Sequence, residues 1–125
     1  MTSPGQLMNR VSLCQGQTKV LKVTIKNQDG QPANLSSAML FFTVRQKPTT
    51  DILICLMSPD EGIGVTDAAN GLATITISSV DSDIDAGRYR YDLWVQYAGD
   101  PPLRHPVVKN AEFCVEESVI AFCGT

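Results

Sequence analysis

Residues 87 to 97 alternate between two kinds of side chain, and this alternation constrains the fold more than any other feature of the chain. Tyr89, Tyr91 and Leu93 share one side of an extended backbone, whereas Arg90 and Trp94 belong to the other side. Successive side chains of a β-strand point to opposite faces, so a period of two predicts a strand that buries one face. The segment is therefore predicted to be a strand with an aromatic inner face and Trp94 on the outside.

The position of Tyr89 indicates which kind of β fold contains this strand. In immunoglobulin-like sandwiches, a tyrosine near the start of one strand donates its hydroxyl to the backbone a few residues upstream and pins a corner between the sheets. Tyr89 follows the turn-forming residues 85–87 and is predicted to be this structural corner. Antibody-type domains have a cysteine two residues later, where this chain has Tyr91. The pattern predicts the corner without the disulfide between the sheets.

Further short strands are predicted around residues 18–26, 39–45, 52–57, 63–66, 72–77 and 107–116. The Asn70-Gly71 pair is a strong hairpin signal, because both residues accept positive φ at low cost. No segment has the period of a long amphipathic helix. These patterns predict an all-β fold, an immunoglobulin-like β-sandwich of seven to eight antiparallel strands over residues 16–117. Residues 1–15 are then an N-terminal arm, and residues 118–125 are a C-terminal arm or an extra strand.

Charge and hydropathy argue against two classes of partner. The formal net charge is −3, and the Lys and Arg residues are scattered, so no basic surface suited to nucleic acid is expected. No window approaches the roughly 18 to 20 apolar residues of a membrane span, so no membrane partner is expected either. The first ten residues lack the apolar centre of a secretory signal. We therefore expect synthesis and folding in the cytoplasm.

Metal binding is not expected from the cysteines or the acidic residues. None of the four cysteines forms a close CxxC pair, and the chain has one histidine. Cys55 and Cys114 lie in apolar strand patterns, where we expect free thiols that behave as small hydrophobes rather than a disulfide. The acidic cluster at residues 81–85 faintly imitates a calcium loop, but it lacks the required Gly and the bidentate Glu. Capping of a short helical turn explains this cluster without an ion.

No catalytic residue or cofactor is predicted. His105 would be a general base only beside a nucleophile, and no Ser or Cys has the context of a nucleophile elbow. A carboxylate pair for glycoside hydrolysis would need a walled cleft, which a sandwich of this length seldom provides. We therefore expect a protein that is not an enzyme.

Apolar side chains that fall on the outer side of predicted strands are the candidate interface. Met39 and Phe41 alternate with core positions, and Trp94 lies opposite the Tyr face. The apolar tail adds Ile120 and Phe122. Three readings of Trp94 stay open at this point: cover by a loop of its own domain, an anchor for a protein partner, or a stacking platform for a sugar ring.

Much of the chain resembles a known family in the order of its segments. These segments are KVLKVTI (19–25), DGQP (29–32), LS (35–36), FTVR (42–45), GI (62–63), TDAANG (66–71) and GRYRYDLWV (87–95). Over residues 16–117 the chain resembles small immunoglobulin-like structural proteins of tailed bacteriophages, including the N-terminal domain of phage baseplate upper proteins. Baseplate upper proteins continue into a helical linker, whereas this chain stops at Thr125. A self-contained subunit is therefore expected rather than a fibre anchor.

The resemblance implies a non-enzymatic virion structural protein, an adaptor or decoration subunit of the tail or baseplate, the neck or the capsid. It would be synthesised in the host cytoplasm and localise to the virion, where its partners are other virion proteins and copies of itself. The alternative is a carbohydrate-binding or host-adhesion module. In that case Trp94 or Tyr97, beside the loop at residues 98–102, would stack on a host glycan.

Overall fold

The computed structural model describes residues 10–27, 29–47, 51–57 and 62–118. Eight strands form within these ranges: β1 (Arg10–Cys14), β2 (Lys19–Thr24), β3 (Ala38–Arg45), β4 (Ile52–Met57), β5 (Ile63–Asp67), β6 (Leu72–Ile77), β7 (Gly87–Tyr97) and β8 (Leu103–Glu116). A single 3₁₀ turn, Ala68–Asn70, connects β5 to β6. Within the same ranges, no helix has the length and apolar character needed to cross a membrane.

The strands form two sheets that pack as an immunoglobulin-like sandwich. The larger sheet has the order β1-β8-β7-β3-β4, and the smaller has the order β2-β6-β5. An extra edge strand beside β3 on the larger sheet is the arrangement of variable-type immunoglobulin domains. The all-β immunoglobulin-like prediction is therefore confirmed.

Two details at the N-terminal side differ from the prediction. Residues 10–14, which we assigned to an N-terminal arm, form β1. This strand runs parallel to β8, with Val11 opposite Phe113, so the sandwich is not wholly antiparallel. Val11 and Leu13 are buried, and this burial explains why the segment joins the sheet. The strand could not be recognised from the sequence, because its alternation covers 5 residues and its outward residues include Cys14 as well as polar ones.

The core lies between the sheets and is filled by the inward residues of both. Its centre is aromatic: the Phe42 ring lies 5.2 Å from the Tyr91 ring and 6.3 Å from the Phe113 ring, between centroids. All three side chains are fully buried. Such tilted pairs contribute about 0.5–1.5 kcal/mol each beyond the burial of their surface. Tyr91 of this cluster stands where antibody domains have the second cysteine of their disulfide.

The Asn70-Gly71 signal corresponds to the connection that precedes β6. Gly71 has φ of 70°, and a Cβ there would collide with the carbonyl oxygen of Ile25. The same close approach lets the Ile25 amide donate to the Gly71 carbonyl at 2.8 Å. Glycine is required on both counts, because other residues resist positive φ and have a side chain in the way.

Candidate interaction surface

Tyr89 forms the corner at the start of β7. Its hydroxyl donates to the carbonyl oxygen of Asp85 at 2.5 Å, while its ring is buried against the core. Burial raises the pKa of the Tyr89 hydroxyl above its ordinary value, and the nearby Asp85 carboxylate raises it further. This hydrogen bond holds the segment before β7 against the start of the strand.

Tyr91, in the antibody cysteine position, has a different environment. Its ring contacts Phe42 and Phe113, and its hydroxyl is buried with no hydrogen-bond partner among the described residues. Burial raises the pKa of this hydroxyl, because the interior disfavours the charged phenolate. Burial of the aromatic ring stabilises the core, whereas burial of a hydroxyl without a hydrogen bond lowers the stability of the fold.

The outward face of the five-stranded sheet carries a row of apolar side chains. In the register of the strands, Phe41 of β3 lies opposite Met57 of β4 on one side and opposite Trp94 of β7 on the other. Trp94 in turn lies opposite Pro106 of β8. Directly opposite residues on one face have Cβ atoms only about 4.5–5.5 Å apart. We call these four residues, which cross four neighbouring strands, the outer row.

The outer row is partly accessible rather than covered. Met57, Phe41 and Trp94 are each half-buried, and Pro106 is exposed. Their neighbours on the same strands, such as Phe42 and Leu93, are fully buried on the other side. Trp94 therefore lies outside the core, as its place in the alternation predicts.

Asp92 holds Trp94 in one orientation. One carboxylate oxygen of Asp92 accepts from the indole Nε1 of Trp94 at 3.3 Å. The other accepts from the backbone amide of Asn110 at 2.6 Å. Asn110 has φ of 54° and lies in a β-bulge of β8, where an amide would otherwise lack a ladder partner. One side chain thus stabilises the bulge and orients the indole above it.

A second row on the same face is rich in arginine. Arg45 lies opposite Arg90, which lies opposite Glu112, which lies opposite Arg10. The Arg10 guanidinium approaches the Glu112 carboxylate to 3.8 Å, and the Arg90 guanidinium donates to the Asn110 carbonyl at 3.4 Å. We call these four residues the arginine row. The outward face therefore changes from apolar at the outer row to positively charged at the arginine row.

Of the remaining interface candidates, the described residues include Met39 alone. Met39 lies on the outward face of β3 opposite Gln96, next to the outer row. Ile120 and Phe122 lie outside the described residues. Met57 was not among our candidates, although residues 52–57 are a wholly apolar run. An apolar run has no period, so the sequence could not tell which of its residues point outward.

Tyr97 does not share a surface with Trp94. Its side chain is packed partly against the core, and its ring lies 6.1 Å from that of His105. Because residues 94 and 97 differ by an odd number, the strand directs them to opposite faces. A sugar platform on the outward face would therefore contain Trp94 without Tyr97.

The cysteines are more accessible than their sequence context predicts. Cys14 and Cys55 are exposed, and Cys114 is half-buried. Cys55 and Cys114 are free thiols, as expected. They do not pack as small core residues, because both belong to the outward side of strands whose inward residues are the buried ones. In the apolar run of β4, Ile54 and Leu56 are the core residues.

The acidic cluster forms a turn. The Ser82 amide donates to the Ser78 carbonyl at 3.0 Å, and the Asp81 amide donates to the Ser78 hydroxyl, also at 3.0 Å. The buried Ser82 hydroxyl donates to the Gln17 carbonyl at 2.7 Å and so attaches the turn to the chain before β2. No group of three or more His, Cys, Asp or Glu within the described part of the chain is arranged to hold a metal ion.

Comparisons with known proteins give neighbours in structure. No protein-family model and no curated protein matches the chain. The chain is similar to the Ig1 domain of mouse SynCAM 2, with 16% identity over 87% of this chain and 92% of that one and a TM-score of 0.37. It is also similar to AggA, the major subunit of aggregative adherence fimbriae type I from Escherichia coli, with 13% identity over 87% and 89% of the two chains and a TM-score of 0.32.

Proposed function

We propose that this chain is a non-enzymatic structural protein of a tailed bacteriophage particle, an adaptor or decoration subunit that binds neighbouring virion proteins. The observation that carries the binding role is the outer row, in which apolar side chains from neighbouring strands meet on a solvent-facing side. The phage setting is supported by the resemblance of residues 16–117 to phage immunoglobulin-like proteins. The subunit's site of action is then the virion, after synthesis in the host cytoplasm.

The outer row has the composition of a protein-binding surface. Tryptophan and other large apolar residues at the centre of a patch, with polar residues around it, are typical of interface hot spots. Antiparallel sheets usually direct polar residues to the solvent side, so an aromatic row there favours a contact over free exposure. The Asp92 bond fixes the indole before binding and thus lowers the entropy lost when a partner docks.

The two rows together describe the partner's chemistry. A matching surface would place apolar side chains against Phe41 and Trp94 and carboxylates against the arginine row, where Arg90 is exposed. In a symmetric particle each contact is repeated many times, so a modest interface gives durable attachment. An acidic and apolar protein surface fits this face better than nucleic acid, because the chain has a formal net charge of −3.

The test measures retention on phage particles. The wild-type chain, Trp94→Ala and Thr74→Ala are produced in cells that assemble the particle, and the copies on purified particles are counted by quantitative mass spectrometry. Thr74 is the matched control, because it lies on the outward face of the other sheet. We expect wild-type retention for Thr74→Ala and a loss of about 30-fold for Trp94→Ala, the effect of removing a hot spot.

Two results would overturn the proposal. One is the absence of the wild-type chain from purified particles. The other is a glycan array on which the wild-type chain binds a saccharide and Trp94→Ala does not, while retention on the particle is the same for both. That combination would assign Trp94 to carbohydrate binding or host adhesion instead.

A further inference from the structure

Within the described ranges four strands lie at the edges of the two sheets, and one of them has no charged residue to oppose pairing with another chain. The edge strands β1, β2 and β5 contain charged residues: Arg10 in β1, Lys19 and Lys22 in β2, and Asp67 in β5. Charges on an edge oppose pairing with another chain. Strand β4, with the sequence ILICLM, contains none. Among the edge strands of the described residues, β4 is therefore the one suited to pairing.

The free side of β4 is apolar as well as uncharged. Ile54 and Leu56 point into the core, while Ile52 and Leu53 are 45% and 47% exposed at a bulge in the pairing with β3. Strand β3 is hydrogen-bonded to one side of β4. On the other side, within the described part of the chain, an isolated bridge joins Met57 to Gly62. Among the described residues no strand pairs with this side of residues 53–56, which therefore present a backbone edge to a partner.

We propose that β4 pairs antiparallel with β4 of a second copy of this chain, so that the five-stranded sheets of the two copies join edge to edge. The partner strand is an identical β4, because a two-fold axis brings the same strand edge of the two copies together. With no charge in the strand, its residues oppose one another without like-charge repulsion. The joined sheets would also continue the outer row of each copy, through Met57, toward the other.

The pleat of the strands selects the register. Opposite residues of an antiparallel pair point to the same face, so inward residues must oppose inward residues. Two registers meet this condition, one with Ile54 on the two-fold axis and one with Cys55 there. The Cys55 register would pair Leu53 with Met57, which is already bridged to Gly62, so the register with Ile54 on the axis is favoured. Leu53 of each copy then lies opposite Cys55 of the other, and both side chains are on the exposed side. This pairing uses an edge and not the outer row, so its failure would leave the proposed function standing.

Sedimentation velocity over a concentration series into the high micromolar range tests the pairing. We expect a reversible dimer in the wild type and, in Leu53→Lys, a dissociation constant raised by about tenfold or more, because two lysines would then flank the axis. The matched control is Val20→Lys: Val20 is 51% exposed on the edge strand β2, so the change adds the same charge at a comparable site. It should leave the dimer unchanged. A wild type that stays monomeric, or equal loss in both variants, would overturn the proposal.

Hydrogen exchange of the wild type gives a readout that needs no variant. Amides at residues 53–56 should exchange more slowly as the concentration rises, because paired backbone is protected. Amides of β2 should show no such dependence. Protection at β2 or β5 in place of β4 would contradict the assignment of the edge.

Discussion

The outward faces of the two sheets differ although both belong to one sandwich. On the three-stranded sheet, Lys22 lies opposite Thr74, which lies opposite Gly64. On the five-stranded sheet, the corresponding direction is occupied by the outer row, with Phe41 opposite Trp94. Threonine and lysine suit a strand that faces water, whereas aromatic side chains gain little by facing it. The five-stranded sheet thus directs an aromatic pair outward at positions where the three-stranded sheet has threonine, lysine and glycine.

The strands that build the two faces differ in the same way. Strand β6 alternates cleanly, with Ala73, Ile75 and Ile77 buried and the threonines outside. Strands β3 and β4 also carry apolar residues on the outward side, Met39 and Phe41 in β3 and Met57 in β4. In this sandwich each strand needs an apolar inward face to build the core. The outward apolar residues of β3 and β4 are not needed for that purpose. Changes that remove one apolar side chain at a time can separate its role from that of the core.

The largest expected effect separates the two sides of β3. Phe42→Ala should lower the free energy of unfolding by about 3–5 kcal/mol, because Phe42 is fully buried in the aromatic centre. Phe41→Ala should cost about 1 kcal/mol, because its half-buried side chain leaves no core cavity. Urea denaturation of both variants measures the difference. Equal losses would mean that Phe41 is a core residue and that the outer row is not available for binding.

A smaller effect is expected at the side chain that organises the outer row. Asp92→Ala should lower the free energy of unfolding by about 2 kcal/mol, because the Asn110 amide and the indole of Trp94 lose a charged acceptor. Trp94 is the chain's one tryptophan, so its fluorescence reports on this site directly. The emission should change in Asp92→Ala and not in Thr74→Ala. An unchanged emission would show that Asp92 does not hold the indole.

The two tyrosines on the inner side of β7 should respond differently to loss of the hydroxyl. Tyr89→Phe removes the bond to Asp85 and should lower the free energy of unfolding by about 1 kcal/mol. Tyr91→Phe should leave it unchanged or raise it, since its hydroxyl has no partner among the described residues. Thermal and urea unfolding at neutral pH compare them. A larger loss in Tyr91→Phe than in Tyr89→Phe would contradict this assignment.

Alkaline pH gives a further test at the same position. Because burial raises the pKa of Tyr91 in the folded state, the unfolded chain ionises first, so ionisation of Tyr91 leaves the stability unchanged below the unfolded value of 10.0 and lowers it as pH rises above that value. The wild type should lose stability above that pH, more steeply than Tyr91→Phe by up to about 1.4 kcal/mol per pH unit. Urea unfolding from pH 8 to about pH 11 measures both slopes. Parallel slopes would mean that the phenolate is tolerated inside the fold.

The smallest effect is expected on the outward face of the three-stranded sheet. Thr74→Ala should change the free energy of unfolding by no more than about 0.5 kcal/mol, as is usual for surface positions. A loss comparable to that of Phe41→Ala would remove the contrast between the two faces. Parallel urea unfolding of the two variants decides this.

Where the sequence alternates, the fold could be predicted from it. The inward side of β7, the Tyr89 corner and the turn at Gly71 each follow from a local rule about strands or backbone angles. The parallel pairing of β1 with β8 could not be predicted, because a short segment does not reveal which distant strand it joins. Met57 was missed for a related reason, since in an apolar run only the register with β3 shows which residues point outward.

Oxidative footprinting of particle-bound and free protein tests the contact face most directly. Hydroxyl radicals modify accessible tryptophan, methionine and leucine side chains, and mass spectrometry locates the modification. We expect Trp94 and Met57, on the outward face of the five-stranded sheet, to be protected on the particle. Leu72, which is 37% exposed on the outward face of the three-stranded sheet, should be modified equally in both states. Protection of Leu72 with full modification of Trp94 would show that the particle binds the opposite face and would contradict the proposal.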